Sequence, residues 1–299
     1  MISKPLLTII VPRGKNLPLH VAQSINLQTV PVRCIVEEGQ NPSANRNRAI
    51  KKTKTPFVAF VNAHSILPNN WAEKIISFFK KHNQIDIVGG PQLTPQDQNY
   101  FGKLCGHALS SVFGAARARN RYASHVQSFD ANEELLTSAN LACRVEVTKK
   151  ISFDESIYPG EDPKFIADAR RAGFRVAYDP NMTIFHRRRN TLSAFIRQIF
   201  SYGVTRPQKE GLHETLSHPT FLIPPLFVIY LLTIGILTWT STLFVLPLFL
   251  YLILSAGFSL REGIKHNDPR LLIFLPFIFF IIHVSYGIGF IYGLVKYRI

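Results

Sequence analysis

"FVAFVNAHSILPNNW", residues 57–71, decides the fold. Phe57, Val58, Ala59, Phe60 and Val61 form a short apolar run with no polar alternation, the pattern of a strand covered on both faces. The run delivers Asn62, Ala63 and His64 at its carboxyl end. Behind it, "PNNWAEKIISFFKKH" (68–82) takes helical spacing, with Trp71, Ile75, Ile76 and Phe79 as core positions. Asn70 followed three residues later by Glu73 predicts a capping box at its start.

The same alternation runs outward in both directions. "LLTIIVP" (6–12) predicts a buried strand, "PLHVAQSINLQT" (18–29) a helix, "VRCIVEEG" (32–39) a second strand and "NPSANRNRAIKKT" (41–53) a second helix. "IDIVGGP" (85–91) and "FRVAYDP" (174–180) add strands further on. Strands alternating with helices predict an α/β fold with a mostly parallel central sheet, whose ligands bind at the carboxyl ends of the strands. In "FDESIYPGEDPKFIADARRAGFRVAY" (153–178), Asp162 before Pro163 predicts an N-cap and first helical residue, and Gly173 predicts the helix stop. "NYFGKLCGHALSSVFG" (99–114) is helix-like and leads into Arg117, Arg119 and Arg121, a run that suits either a solvated face or a surface meeting phosphate or lipid.

From Pro219 the composition changes. Residues 219–239, 241–260 and 271–295 each run about 20 residues without a charge, the length of a membrane-crossing helix, and predict three spans. Just before them Leu192, Phe195, Ile196, Ile199 and Phe200 make one apolar stripe, which predicts an amphipathic interfacial segment over 190–218, with burial against the preceding domain as the alternative. The residues before it, 1–189, make one α/β domain. "MISKPLLTIIVPRG" lacks the apolar length of a signal peptide, so that domain is expected to stay where it is made. Of the 34 Lys and Arg all but Arg261, Lys265, Arg270, Lys296 and Arg298 precede Pro219, and of the 19 acidic residues all but Glu262 and Asp268 do. This strongly basic part is expected on the cytoplasmic face, as is the loop "REGIKHNDPR" (261–270). Basic charge beside a bilayer suits membrane lipids and phosphorylated ligands, and the three spans argue against nucleic acid as the partner. Cys34, Cys105 and Cys143 are scattered, with neither disulfide-framework nor zinc spacing.

Taken in order, these pieces resemble a family-2 glycosyltransferase with a GT-A type nucleotide-sugar domain, of the membrane-anchored kind that builds exopolysaccharide or lipid-linked glycans. The resemblance covers about residues 5–210. It rests on the first strand and helix, "CIVEEG" (34–39), "NRNRAI" (45–50), "TSAN" (137–140), and "FDE" (153–155) before "GED" (160–162). It implies Asp162 as catalytic base with Glu161 beside it, and Thr137 and Asn140 on the acceptor side. It also implies Pro12, Glu38, Arg46, Asn62, Arg187 and Arg188 around the nucleotide-sugar donor. The acceptor it implies is a lipid-linked or cell-surface glycan, served by an integral membrane enzyme whose catalytic domain faces the cytoplasm.

One motif departs from the family. Asn62-Ala63-His64 stands where the family carries Asp-x-Asp, whose carboxylates hold the ribose and the divalent metal on the diphosphate. His64 and His186 are the remaining metal-ligand candidates, better suited to manganese than to magnesium, which prefers oxygen. The other route is protein charge, from Arg46 and Arg187, Arg188 and Arg189. Two readings follow: an inverting glycosyltransferase, and a membrane-bound scaffold that kept the fold and lost the metal. A nucleotidyl or phosphoryl transferase lacks a glycine-rich phosphate loop to support it. "IRQIFSYGVTR" (196–206) lacks the Gln-x-x-Arg-Trp signature of processive synthases, so transfer of a single sugar is expected.

Overall fold

A computed structural model describes residues 4–13, 18–216 and 219–297, with the side chains of 209–216 left aside. Residues 1–3, 14–17, 217–218 and 298–299, which take in both ends of "MISKPLLTIIVPRG" and the last two residues of the interfacial segment, lie outside the described residues. The chain forms two compact units, one of Met1–Asp97 with Asn120–Arg187 and one of Gln98–Arg119 with Arg188–Ile299.

In chain order the elements are β1 (Leu7–Arg13), α1 (Leu19–Asn26), β2 (Val32–Glu38), α2 (Pro42–Lys51), β3 (Phe57–Val61), β4 (Ser65–Ile66), α3 (Trp71–Lys81), β5 (Ile87–Gly89), β6 (Gln92–Leu93), α4 (Tyr100–Ser110) and α5 (Val112–Ala115). They continue with β7 (Asn140–Arg144), α6 (Val145–Lys150), α7 (Glu161–Arg171), β8 (Val176–Tyr178), β9 (Ile184–His186), α8 (Leu192–Leu216), α9 (Ile223–Thr240), α10 (Leu246–His266) and α11 (Leu271–Tyr297).

The first unit is a six-stranded sheet in the order β2-β1-β3-β7-β5-β8. β1 pairs parallel with β2 and β3, and β5 with β8; β7 runs antiparallel between β3 and β5. β3 is buried along its whole length, as the unalternating run requires. β7, "NLACR", carries no strand prediction from the sequence, and its pairing with β3, Val61 opposite Asn140, makes it a strand. A small sheet, β4-β9-β6, sits at the end of β3 and sets Ser65 opposite His186.

Local signals hold with two corrections. Asn70 caps α3 by position but its side chain caps nothing, and Glu73 instead accepts a hydrogen bond from the Thr29 hydroxyl at 2.8 Å, so there is no capping box. Gly160, not Asp162, is the N-cap of α7, with Asp162 inside the first turn. The helix does stop at Gly173 in a left-handed conformation, where the N–H groups of Gly173 and Phe174 reach back to the carbonyls of Arg170 and Ala169.

Among the described residues of the second unit three helices are long and apolar enough to cross a membrane: Pro219–Thr240, Thr242–His266 and Leu271–Tyr297. The second outruns its apolar stretch, so most of 261–270 is helix and not loop. Hydropathy marks the bilayer thickness, whereas the helix ends where Asn267 turns left-handed, with Lys265 and His266 in its last turn. α11 is the hub. A side chain at Gly289 would lie 2.2 Å from the Phe200 carbonyl of α8, one at Gly293 2.3 Å from that of Val204, and one at Gly287 2.5 Å from that of Pro224 near the start of α9. Small residues at these points let the backbones touch. The apolar stripe of α8 is thereby partly covered: Phe195 and Ile199 are buried, Phe195 edge-on to Phe101 of α4, while Leu192 and Ile196 stay partly exposed.

Candidate active site

Four consecutive residues of α2 organise the strand ends. The helix starts where Asn41 accepts a hydrogen bond from the Ala44 N–H and Pro42 fixes the first turn. Asn45 donates to the Gly39 carbonyl at 3.0 Å, and Gly39 needs to be glycine there: its φ is 153°, and a Cβ would lie 2.5 Å from Asn45 Oδ1. Asn47 brackets the Phe153 backbone, donating to its carbonyl and accepting from its N–H. Arg48 donates to the Glu38 carbonyl and pairs with Glu37.

Arg46 points the other way, inward. Its Nη1 donates to Glu161 Oε1 at 2.8 Å and its Nη2 to Asn62 Oδ1 at 3.2 Å, with the guanidinium over the Phe153 ring. Both members of the ion pair are almost fully buried. One side chain thus joins the end of β3 to the start of α7. Burial foremost, then the Asp162 charge, pushes the Glu161 carboxyl above the usual carboxylate range, against the pull of Arg46.

With Gly160 at the N-cap of α7, the Asp162 side chain does not cap its own helix. An N-cap carboxylate would be spent on its own helix, whereas Asp162 Oδ2 accepts from the Ser138 N–H at 3.1 Å, with the Ser138 hydroxyl at 3.5 Å. Ser138 is a contact that sequence reading passes over, because the donor is a backbone group in the turn before β7.

The acceptor-side pair lies deeper than its motif suggests. Asn140 is buried; it accepts from Trp71 Nε1 at 3.0 Å and gives both amide hydrogens to the carbonyls of Pro91 and Met182. Its amide is a core fastener with no donor left for a ligand. Thr137 Oγ1 accepts from Gln92 and from the Ala139 N–H. Pro12 is buried in β1, opposite Glu37, and exposed Glu38 pairs with Arg13.

At the small sheet, the rings of His64 and His186 lie edge to face, their centroids 6.1 Å apart. The Arg187 N–H donates to the His64 carbonyl at 3.0 Å, and its guanidinium pairs with Asp97. His20 of α1 is close enough to feel this pair: burial first, then the Arg187 charge, lowers its imidazole pKa, with Asp97 pulling back. His20 and Asp97 carry no motif and escape sequence reading. Arg188 belongs to the second unit, where its N–H donates to Gln98 Oε1.

The family's metal asks for carboxylates, and these residues do not supply them. Asn62 offers one carbonyl oxygen, already engaged by Arg46; Ala63 offers nothing; His64 and His186 offer two imidazoles. Among the described residues no three His, Cys, Asp or Glu side chains group so as to hold a metal ion. That donor set does not fit the oxygen shell of magnesium or a carboxylate-held manganese.

Glycosyltransferase-like family 2 matches residues 7–201. The chain belongs to this family. Among curated relatives, this family-2 chain is 30% identical over 149 residues to a Methanococcus voltae protein named as a dolichyl N-acetyl-α-D-glucosaminyl phosphate 3-β-D-2,3-diacetamido-2,3-dideoxy-β-D-glucuronosyltransferase. It is 23% identical over 165 residues to a pre-mycofactocin glycosyltransferase of Mycobacterium tuberculosis. These matches take in 49% and 55% of this chain and 43% and 34% of those proteins, so the chain spans less than half the length of the curated relatives it matches. The mannosyltransferase PcManGT of Pyrobaculum calidifontis, solved with GDP-Man and Mn2+, superposes with a TM-score of 0.57 at 12% identity, over 98% of this chain and 88% of that one. This likeness bears on the fold, which is GT-A-like with three long apolar helices after it.

Proposed function

We propose that this family-2 chain is an inverting glycosyltransferase that moves one sugar from a nucleotide-sugar donor to a lipid-linked glycan acceptor at the cytoplasmic face of a membrane. The observation that carries the reading is the pair at the start of α7: Glu161 locked to Arg46, and Asp162 held by a single backbone N–H with its carboxylate outside the helix cap. Asp162 takes the proton of the acceptor hydroxyl as that oxygen attacks the anomeric carbon; the bond from that carbon to the diphosphate breaks and the nucleoside diphosphate leaves. Inversion follows from a single displacement.

The lipid-linked acceptor is supported by the name of the Methanococcus relative, a transferase on a dolichyl-phosphate sugar, and by the three apolar helices. The cytoplasmic face is supported by the basic charge before Pro219. The experiment is Asp162→Asn in the detergent-purified protein. Turnover falls at least about a hundredfold while nucleotide binding is kept; unchanged turnover removes Asp162 from the role. Absence of transfer in the wild type across a donor panel favours the scaffold reading, which the Asn-Ala-His triplet otherwise supports.

A further inference from the structure

We infer that this chain stabilises the leaving nucleoside diphosphate with the charge of Arg187 and with hydrogen bonds from the imidazole N–H groups of His64 and His186, in place of a carboxylate-held divalent cation. The inference rests on the glycosyltransferase reading and concerns how that site handles the diphosphate.

A site with two carboxylates attracts a dication, and the dication in turn receives two phosphates. With Asn62 and His64 in those places, both negative charges are gone, and a dication has lost what draws it there. The one side-chain oxygen left, Asn62 Oδ1, faces a guanidinium at 3.2 Å. Arg46 itself is committed to Glu161 in a buried pair, so its charge is already balanced.

Arg187 differs. Its partner Asp97 is largely solvent-exposed, an ion pair of the kind that exchanges readily for a better anion. The backbone bond from Arg187 to the His64 carbonyl and the Ser65–His186 register bring the guanidinium's own residue beside both histidines. A guanidinium fork matches phosphate oxygens two at a time, and imidazole N–H groups add neutral donors.

The test is calorimetric titration of UDP and of GDP into the detergent-purified protein, with manganese and again in chelator, for the wild type, Arg187→Gln and Asp97→Asn. The expected result is one nucleotide bound with the same affinity in both buffers, about tenfold more weakly by Arg187→Gln. Asp97→Asn, which removes the competing anion, binds about two- to fivefold more tightly. A purely structural role for the ion pair weakens binding in both variants and overturns the inference. Binding that needs manganese overturns it too, while leaving the transferase reading intact. Failure of both nucleotides under both conditions also overturns it, and sugar transfer by the same preparation then shows whether the transferase reading falls with it.

Discussion

Arg46 and Glu161 form a buried ion pair, Nη1 to Oε1 at 2.8 Å, between two motifs 115 residues apart in the chain. Removing one partner strands a charge in a dry place, which costs about 3–5 kcal/mol. Arg46→Met should therefore lower the unfolding temperature of the detergent-purified protein sharply, and Arg46→Met with Glu161→Leu should recover most of it. A double variant as unstable as the single one would show that the site is not as dry as it looks.

The pair also sets a pH dependence. Glu161 in the fold titrates above the ordinary Glu range, so its ionisation opposes folding progressively as pH rises from that range toward its folded value; Arg46 limits the opposition. The stability gap between wild type and Arg46→Met should widen as pH rises from about 4 to 8 and shrink on acidification, where the carboxyl is protonated in both. Thermal unfolding at a series of pH values reads this directly, and a gap that widens toward acid would contradict it.

Asp162 is positioned mainly by a backbone donor. Ser138→Ala leaves the 3.1 Å bond from the N–H in place and removes only the hydroxyl at 3.5 Å, so kcat should stay within about threefold of wild type. A loss of a hundredfold would make the hydroxyl itself part of the chemistry.

Asn140 and Trp71 fasten β7 to α3. Trp71→Phe leaves Asn140 Oδ1 buried without that donor and should cost about 1–3 kcal/mol of stability. The KM for acceptor in the folded protein should not change; a selective rise would return Asn140 to the acceptor side.

The glycines of α11 are not equivalent to those of α9 and α10. Gly289→Val and Gly293→Val push a side chain into the α8 backbone and should abolish a monodisperse detergent-solubilised protein, whereas Gly235→Val and Gly257→Val, with no heavy atom within 4 Å of the new Cβ, should not. Size-exclusion profiles of the four variants decide it.

Much of the site was legible because its side chains sit next to strong local signals. "FVAFV" announces β3 and therefore places Asn62 and His64 at its end; "GED" before a helix places Glu161 and Asp162 together. The burial of Asn140 was not legible, because a polar residue in a short motif looks the same whether its amide faces a ligand or three core partners. His20, Asp97 and Ser138 had no signal, since each matters through a neighbour far away in the chain.

The sequence by itself determined the α/β alternation, the three apolar spans and the loss of the Asp-x-Asp carboxylates, because periodicity, hydropathy and residue identity are local properties. Tertiary structure alone decided that β7 enters the sheet antiparallel, that α8 lies along α11, that Asp162 is freed from capping, and that Arg46 ties Asn62 to Glu161. Each of these depends on which distant groups share a volume. A buried charge takes whatever partner the folded chain brings within reach, and no spacing along the sequence records that distance.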